Sequence, residues 1–206
     1  MKKGFALSGI LFLMSLSLFA QNNEGQYSVE GGYGLGLSGK PGITDYGHFN
    51  VGLRYMISPT WGVKFDYGHD KFRTDSTPET GVDYNRISAQ AVYNAGRDLN
   101  LPVATNGYVN LLLHAGAGLS RSGSTQTSNK DNMGNLIIGI TPQFYISPRF
   151  AIQADFSYVA NLLQHFDYDG EYHYAGEPKS FTGGQTNISI GLVYYMGKRK
   201  SDYDWR

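Results

Sequence analysis

The chain has 206 residues, with 17 basic against 17 acidic side chains and no Cys. This balance argues against nucleic acid or an anionic surface as a partner, and the missing Cys excludes a disulfide framework. After the amino-terminal segment no apolar run approaches the roughly 18 residues of a membrane-spanning helix, so any core must be built from shorter elements.

Lys2 and Lys3 precede an apolar run from Phe5 to Phe19, followed by Ala20 and Gln21. This is the layout of a secretory signal peptide over residues 1–20, although Leu18, three residues before the cleavage point, is not small. Its removal takes away two lysines and leaves 15 basic against 17 acidic residues, a formal charge of −2, in a single domain over 21–206. With no Cys after the apolar run, a lipid anchor on a mature amino-terminal Cys is not expected.

The rest reads as eight strands of period two. The first, from about Gln26 to Ser38, sets Tyr27, Val29, Tyr33, Leu35 and Leu37 against Ser28, Glu30 and glycines. The second and third form a hairpin across Ile57-Ser58-Pro59. Phe49, Val51, Leu53 and Tyr55 alternate with His48, Asn50, Gly52 and Arg54, then Trp61, Val63, Phe65 and Tyr67 with Gly62, Lys64, Asp66 and Gly68. Asp70 to Asp83 reads as a polar loop. The fourth strand, about Tyr84 to Tyr93, alternates Ile87, Ala89 and Ala91 with Arg86, Ser88 and Gln90. After a long connection from Asn94 to Gly107, the fifth, about Tyr108 to Ser120, has Val109, Leu111, Leu113, Ala115, Ala117 and Leu119 on one face. Asn110, His114, Gly116 and Gly118 lie on the other, with Leu112 as its one large apolar residue.

Arg121 to Gly134 reads as a second polar loop. The sixth and seventh strands repeat the hairpin across Ile146-Ser147-Pro148, with Leu136, Ile138, Ile140 and Phe144 and then Phe150, Ile152, Ala154 and Phe156 on the apolar face. Pro142 lies inside the sixth strand and lacks an N–H, so a local bulge and a slip of parity by one residue are expected there. Ala160 to Ser180 is the longest loop. The eighth strand, about Gly183 to Met196, alternates Ile188, Ile190, Leu192 and Tyr194 with Asn187, Ser189 and Gly191, and a short polar tail follows.

Strands of about 10 residues with aromatic ends have the dimensions of strands crossing an outer membrane. The predicted fold is an all-β, eight-stranded antiparallel up-and-down transmembrane barrel. Short turns in such barrels face the periplasm and long loops face outside. The two Ile-Ser-Pro turns then mark the periplasmic side, where Tyr27, Tyr55, Trp61, Tyr93, Phe144, Phe150 and Tyr194 form a girdle. Tyr108 lies at the same level but off the outward parity of its strand.

The signal segment, the eight alternating strands, the Ile-Ser-Pro turns and the closing GLVYYMGKRK together resemble the small outer-membrane barrels of the OmpA and OmpX group, in particular the OmpA-like barrel domains of Bacteroidota. The resemblance implies residence in the outer membrane of a Gram-negative bacterium and insertion by its assembly machinery. It also implies contact with outer-membrane lipid and lipopolysaccharide. Many relatives continue into a peptidoglycan-binding domain; this sequence stops at Arg206, so cell-wall tethering by that route is not carried over.

On the inward parity lie Glu30, Arg54, Lys64, Asp66, Arg86, His114 and Asp155. Charges sharing a narrow lumen must be paired, so the expectation is a polar plug, with a structural or surface-interaction role. The alternative is a narrow porin-like channel for small solutes. A lipid A-modifying enzyme is a further alternative, for which His69 beside Asp70 is the most suggestive pair, though no Ser is tied to it. Asp167, Asp169, Glu171 and His173 alternate in the last loop, where a solvated acidic and aromatic surface is expected rather than a metal site. That loop and the loop from Asp70 to Asp83 are the places expected to contact an extracellular ligand. Catalytic residues, cofactors and metals are not expected, and the barrel is expected to be a monomer.

Overall fold

The computed structural model describes residues 26–127, 130–174, 177, 179–196 and 205. The expected signal peptide lies outside the described residues. Eight strands form one closed barrel: β1 (Gln26–Ser38), β2 (Thr44–Met56), β3 (Trp61–Arg73), β4 (Gly81–Tyr93), β5 (Val109–Ser124), β6 (Lys130–Tyr145), β7 (Phe150–Gln164) and β8 (Phe181–Met196). Each pairs antiparallel with its sequence neighbours, and β1 closes on β8.

The alternation sorts the side chains by face, and the faces are inverted relative to a water-soluble protein. Phe65, Ile87, Leu119, Ile138 and Ile190 are exposed around the outer wall, while Gln26, Glu30, Asn50, Arg54, Lys64, Gln143, Gln153 and Asn187 are almost wholly buried inside. β-branched and aromatic residues suit the pleated outer surface. Glycines leave room in the narrow interior for the large inward side chains. A Cβ on Gly139 would collide with the His114 ring and approach the Phe156 carbonyl to 2.7 Å.

Both Ile-Ser-Pro turns close in the same way, which explains the repetition. Ser58 Oγ accepts from the Trp61 N–H at 2.9 Å and the Thr60 N–H at 3.3 Å; Ser147 Oγ accepts from Phe150 at 3.1 Å and Arg149 at 3.3 Å. The serine hydroxyl thus stands in for a backbone acceptor while the proline fixes φ at the next position. This is the turn end of the barrel. The long Asn94 to Tyr108 connection at the same end folds into two helical turns, α1 (Ala95–Asp98) and α2 (Leu101–Ala104). Asn94 accepts from the Arg97 N–H, and its own N–H donates to Thr60 O at 2.8 Å, tying the connection to the first Ile-Ser-Pro turn.

Three expectations are corrected. Pro142 causes no bulge: Ile140 faces Phe156 and Gln143 faces Gln153, one register on both sides, and Leu111 stays opposite Pro142. The β6 ladder to β7 omits Thr141 and Pro142 and resumes unshifted. The register shifts lie elsewhere, between Gly34 and Gly36 in β1 and between Asn161 and Gln164 in β7, where Leu163 takes φ +62°. Second, the strands run further than expected at the loop end, absorbing residues read as loop at 70–73, 81–83, 121–124, 130–134 and 160–164. Alternation continues there with its chemistry reversed: Phe72, Val82 and Met133 point inward and Lys71, Arg73 and Lys130 outward. Third, the carboxy-terminal tail is not only polar, because Trp205 is buried among Met56, Val92, Leu112, Tyr145 and Tyr195.

Replacing Gly139 with Val should lower stability by roughly 1–3 kcal/mol through overpacking against His114. Urea unfolding of the detergent-folded barrel measures this; an unchanged midpoint would mean that the lumen has spare room at that level.

Candidate functional site: the barrel lumen and its two closures

The lumen is filled in layers. At its centre Glu30 binds both Arg54 and Lys64, with Lys64 Nζ 2.9 Å from Glu30 Oε1. Lys64 also lies 4.0 Å from Asp66 Oδ2, and Asp66 accepts from Arg86 Nη2 at 3.1 Å. Three cations from β2, β3 and β4 thereby share two carboxylates in an unbroken chain. A second group lies against it: His114 Nε2 is 3.1 Å from Asp155 Oδ2, which also accepts from Thr141 Oγ1 at 2.8 Å, while Ser157 donates to Oδ1. His114 Nδ1 lies 2.6 Å from Gln90 Oε1. All seven inward residues singled out in the sequence lie in this interior, each with a polar partner.

Sequence reasoning missed the layer above. His48 Nδ1 lies 2.7 Å from Asp70 Oδ1, and Asp70 accepts from Gln185 at 3.0 Å and Asn187 at 2.9 Å. The adjacent pair His69 and Asp70 is therefore not a unit. Neighbours in a strand face opposite ways, so His69 points outward to Asn85 at 2.9 Å while Asp70 points into the lumen. Parity alone, carried past the assumed end of the strand, would have found this.

Each end of the lumen is closed by rings. At the loop end, Tyr168 inserts from the β7 to β8 loop, packing edge-on against Phe72 with centroids 4.7 Å apart, over Val82, Tyr84 and Met133. Its hydroxyl accepts from Asn161 Nδ2 at 2.7 Å, and burial pushes the phenol well above its ordinary pKa. At the turn end, the Trp205 N–H donates to Gln26 Oε1 at 3.1 Å and its indole N–H to Ser58 O at 2.9 Å. The Trp205 carbonyl accepts from Tyr145 Oη at 2.7 Å and Asn110 Nδ2 at 3.0 Å.

The seven girdle rings named from sequence all lie at the turn end, and six of them stack in cross-strand pairs: Tyr27 with Tyr55 (4.6 Å), Trp61 with Tyr93 (4.9 Å) and Phe150 with Tyr194 (4.9 Å). Phe144 is exposed at the same level. Tyr108 sits just before β5 and is exposed too, along with Leu99 and Val103 of the helical connection.

Of the five histidines, none has a hydroxyl as its hydrogen-bond partner among the described residues: the partners are carboxylates and amides. His173 lies 2.9 Å from Asp167 Oδ1, and Asp169 accepts from the Glu171 N–H at 3.0 Å. No group of three or more metal-ligating side chains gathers among the described residues.

The model of the outer membrane protein beta-barrel domain family matches residues 6–195. The chain belongs to this family. It is therefore a protein of the bacterial outer membrane, and the apolar wall faces lipid. Similar solved structures share the fold at low identity. Ail, the attachment invasion locus protein of Yersinia pestis, crystallised with the heparin analogue sucrose octasulfate, is 20% identical, with a TM-score of 0.53 over 84% of this chain and 100% of that one. Neisserial surface protein A is 14% identical, with a TM-score of 0.54 over 84% and 97%. A major outer membrane protein from Thermus thermophilus is 13% identical, also with a TM-score of 0.54, over 84% and 100%. No curated protein matches the chain.

Replacing Glu30 with Gln removes the anion shared by Arg54 and Lys64 and leaves two buried cations under-compensated. The expected loss is about 3–5 kcal/mol, the typical cost of breaking a buried ion pair. Thermal loss of the fast-migrating folded band in gels reads it out; a shift no larger than that of an exposed Glu171→Gln control would mean that the cluster is not held by charge pairing.

Proposed function

We propose that this protein is a plugged outer-membrane barrel whose role is structural and surface-interacting rather than transport or catalysis. The observation that carries the reading is closure at both ends, with Tyr168 over one mouth and Trp205 in the other, and a continuous polar network between them. The turn end faces the periplasm, the loop end faces outside, and the barrel acts as a monomer inserted by the outer-membrane assembly machinery. Its surroundings are outer-membrane lipid and lipopolysaccharide.

The outward surface at the loop end is the place for an extracellular ligand. Tyr172 and Tyr174 are half-exposed there, with Tyr172 stacked on the buried Phe166 at 4.4 Å, so the rings are held in place before binding. Ail was crystallised with a sulfated sugar. Here the described part of the last loop carries Asp167, Asp169, Glu171 and Glu177 against Lys179, a charge that favours a neutral or basic ligand over a polyanion. Removing the whole loop would also uncover the lumen, so point changes are the cleaner probe.

In planar bilayers the folded protein should show no stable openings; long-lived openings of uniform size would support the narrow channel instead. Tyr172→Ser with Tyr174→Ser should abolish adhesion of expressing cells to host or matrix surfaces while folded-band mobility is unchanged. Undiminished adhesion would place the contact elsewhere.

A further inference from the structure

The lipid-facing wall is not uniform. On β4 and β5 its middle is built from alanines, Ala89 opposite Ala117 and Ala91 opposite Ala115. The neighbouring strands carry bulky outward residues at the same heights: Phe65 on β3 faces Ala89, and Leu136 and Ile138 on β6 face Ala117 and Ala115. Four methyl groups between such walls leave a trough running along the strands, open on its outer side.

Toward the loop end the trough stops at the facing pair Ile87 and Leu119. One rung beyond that pair the outward positions become polar and basic, with Arg121 on β5 flanked by Asn85 and Asn132, and Lys71 on β3 and Lys130 on β6 one rung further. Around the whole barrel the outward cations of the eight strands are Lys71, Arg73, Arg121 and Lys130, all on β3, β5 and β6; the outward faces of β1, β2, β7 and β8 have none. The carboxylates nearby, Asp83 and Glu79, are engaged by Arg73. Lys71, Arg121 and Lys130 form no ion pair among the described residues. Thus the cationic sector of the strand rim stands over the alanine-lined sector of the wall.

From Arg121 down to Ala115 is roughly 20 Å along the strand, and at a tilt of about 40° this covers roughly 15 Å of depth, one leaflet of the hydrocarbon core. The geometry points to a seat for one outer-leaflet lipid with a phosphate-bearing headgroup. Its phosphate contacts Arg121 and Lys130, and an acyl chain lies over Ala89, Ala117 and Ala115. Charge complementarity selects this occupant over a zwitterionic lipid, because clustered interfacial Lys and Arg attract anionic headgroups. The inference rests on the sidedness proposed above. That is tested separately by labelling a single Cys placed at Thr77 on whole cells with an impermeant maleimide.

The test is native mass spectrometry of the detergent-folded protein, titrated with phosphorylated lipid A or with its dephosphorylated form. A one-to-one adduct should form preferentially with the phosphorylated lipid. Arg121→Gln with Lys130→Gln should weaken that adduct by about tenfold, to the level of the dephosphorylated form. Ala117→Phe, or Ala89→Leu should the first fail to fold, should weaken both forms by filling the trough. Equal binding of the two lipids would overturn the inference, as would a phosphate preference that survives the double substitution or an adduct indifferent to a filled trough. A protein dimer dissolved by Ala117→Phe would also overturn it, assigning the trough to a second copy.

Discussion

A peptide group left unpaired in hydrocarbon costs several kcal/mol, and this requirement governs the molecule. Strands satisfy it only if the sheet has no edge, so the pairing of β1 with β8 is the contact on which the others depend. Closure at eight strands fixes a narrow interior, and a narrow interior admits only small residues or side chains that can pair with one another. The glycines, the Glu30, Arg54, Lys64, Asp66 and Arg86 chain, and the apolar outer wall all follow from that single condition.

Filling the lumen with charge is permitted because the charges are shared. Glu30 serves Arg54 and Lys64, and Asp66 serves Arg86 and the same Lys64, so no group in the central layer stands alone. The ends are handled differently. At the loop end wall and interior exchange chemistry, at the turn end the wall keeps its aromatic rings, and rings close the bore at both mouths. In the plugged barrel proposed above, a polar middle between two apolar caps would keep water from a continuous path.

Much of this was legible in the sequence because a period of two sorts residues without any knowledge of the partner strand. The strand count, the outward faces and the inward charges all come from that parity. Two kinds of feature were not legible. One was the continuation of β3 to β7 beyond the expected membrane boundary: a reader looking for apolar residues outside sees Lys71 and Arg73 as loop, although Phe72 between them keeps the alternation. The other was long-range closure. Nothing local in the tail says that Trp205 returns to Gln26 and Ser58, or that Tyr168 reaches Asn161. Pro142 was misjudged for a related reason, since β5 and β6 hold their register across it.

The inverted polarity of the wall is the central claim, and the absence of Cys from the chain makes it directly measurable. Single Cys residues placed in turn at 136, 137, 138, 140 and 141 of β6, spin-labelled and examined in lipid bilayers, report access to oxygen dissolved in lipid. The account predicts oxygen accessibility with a period of two, high at 136, 138 and 140 and low at 137 and 141. A flat profile, or maxima on the odd positions, would contradict it.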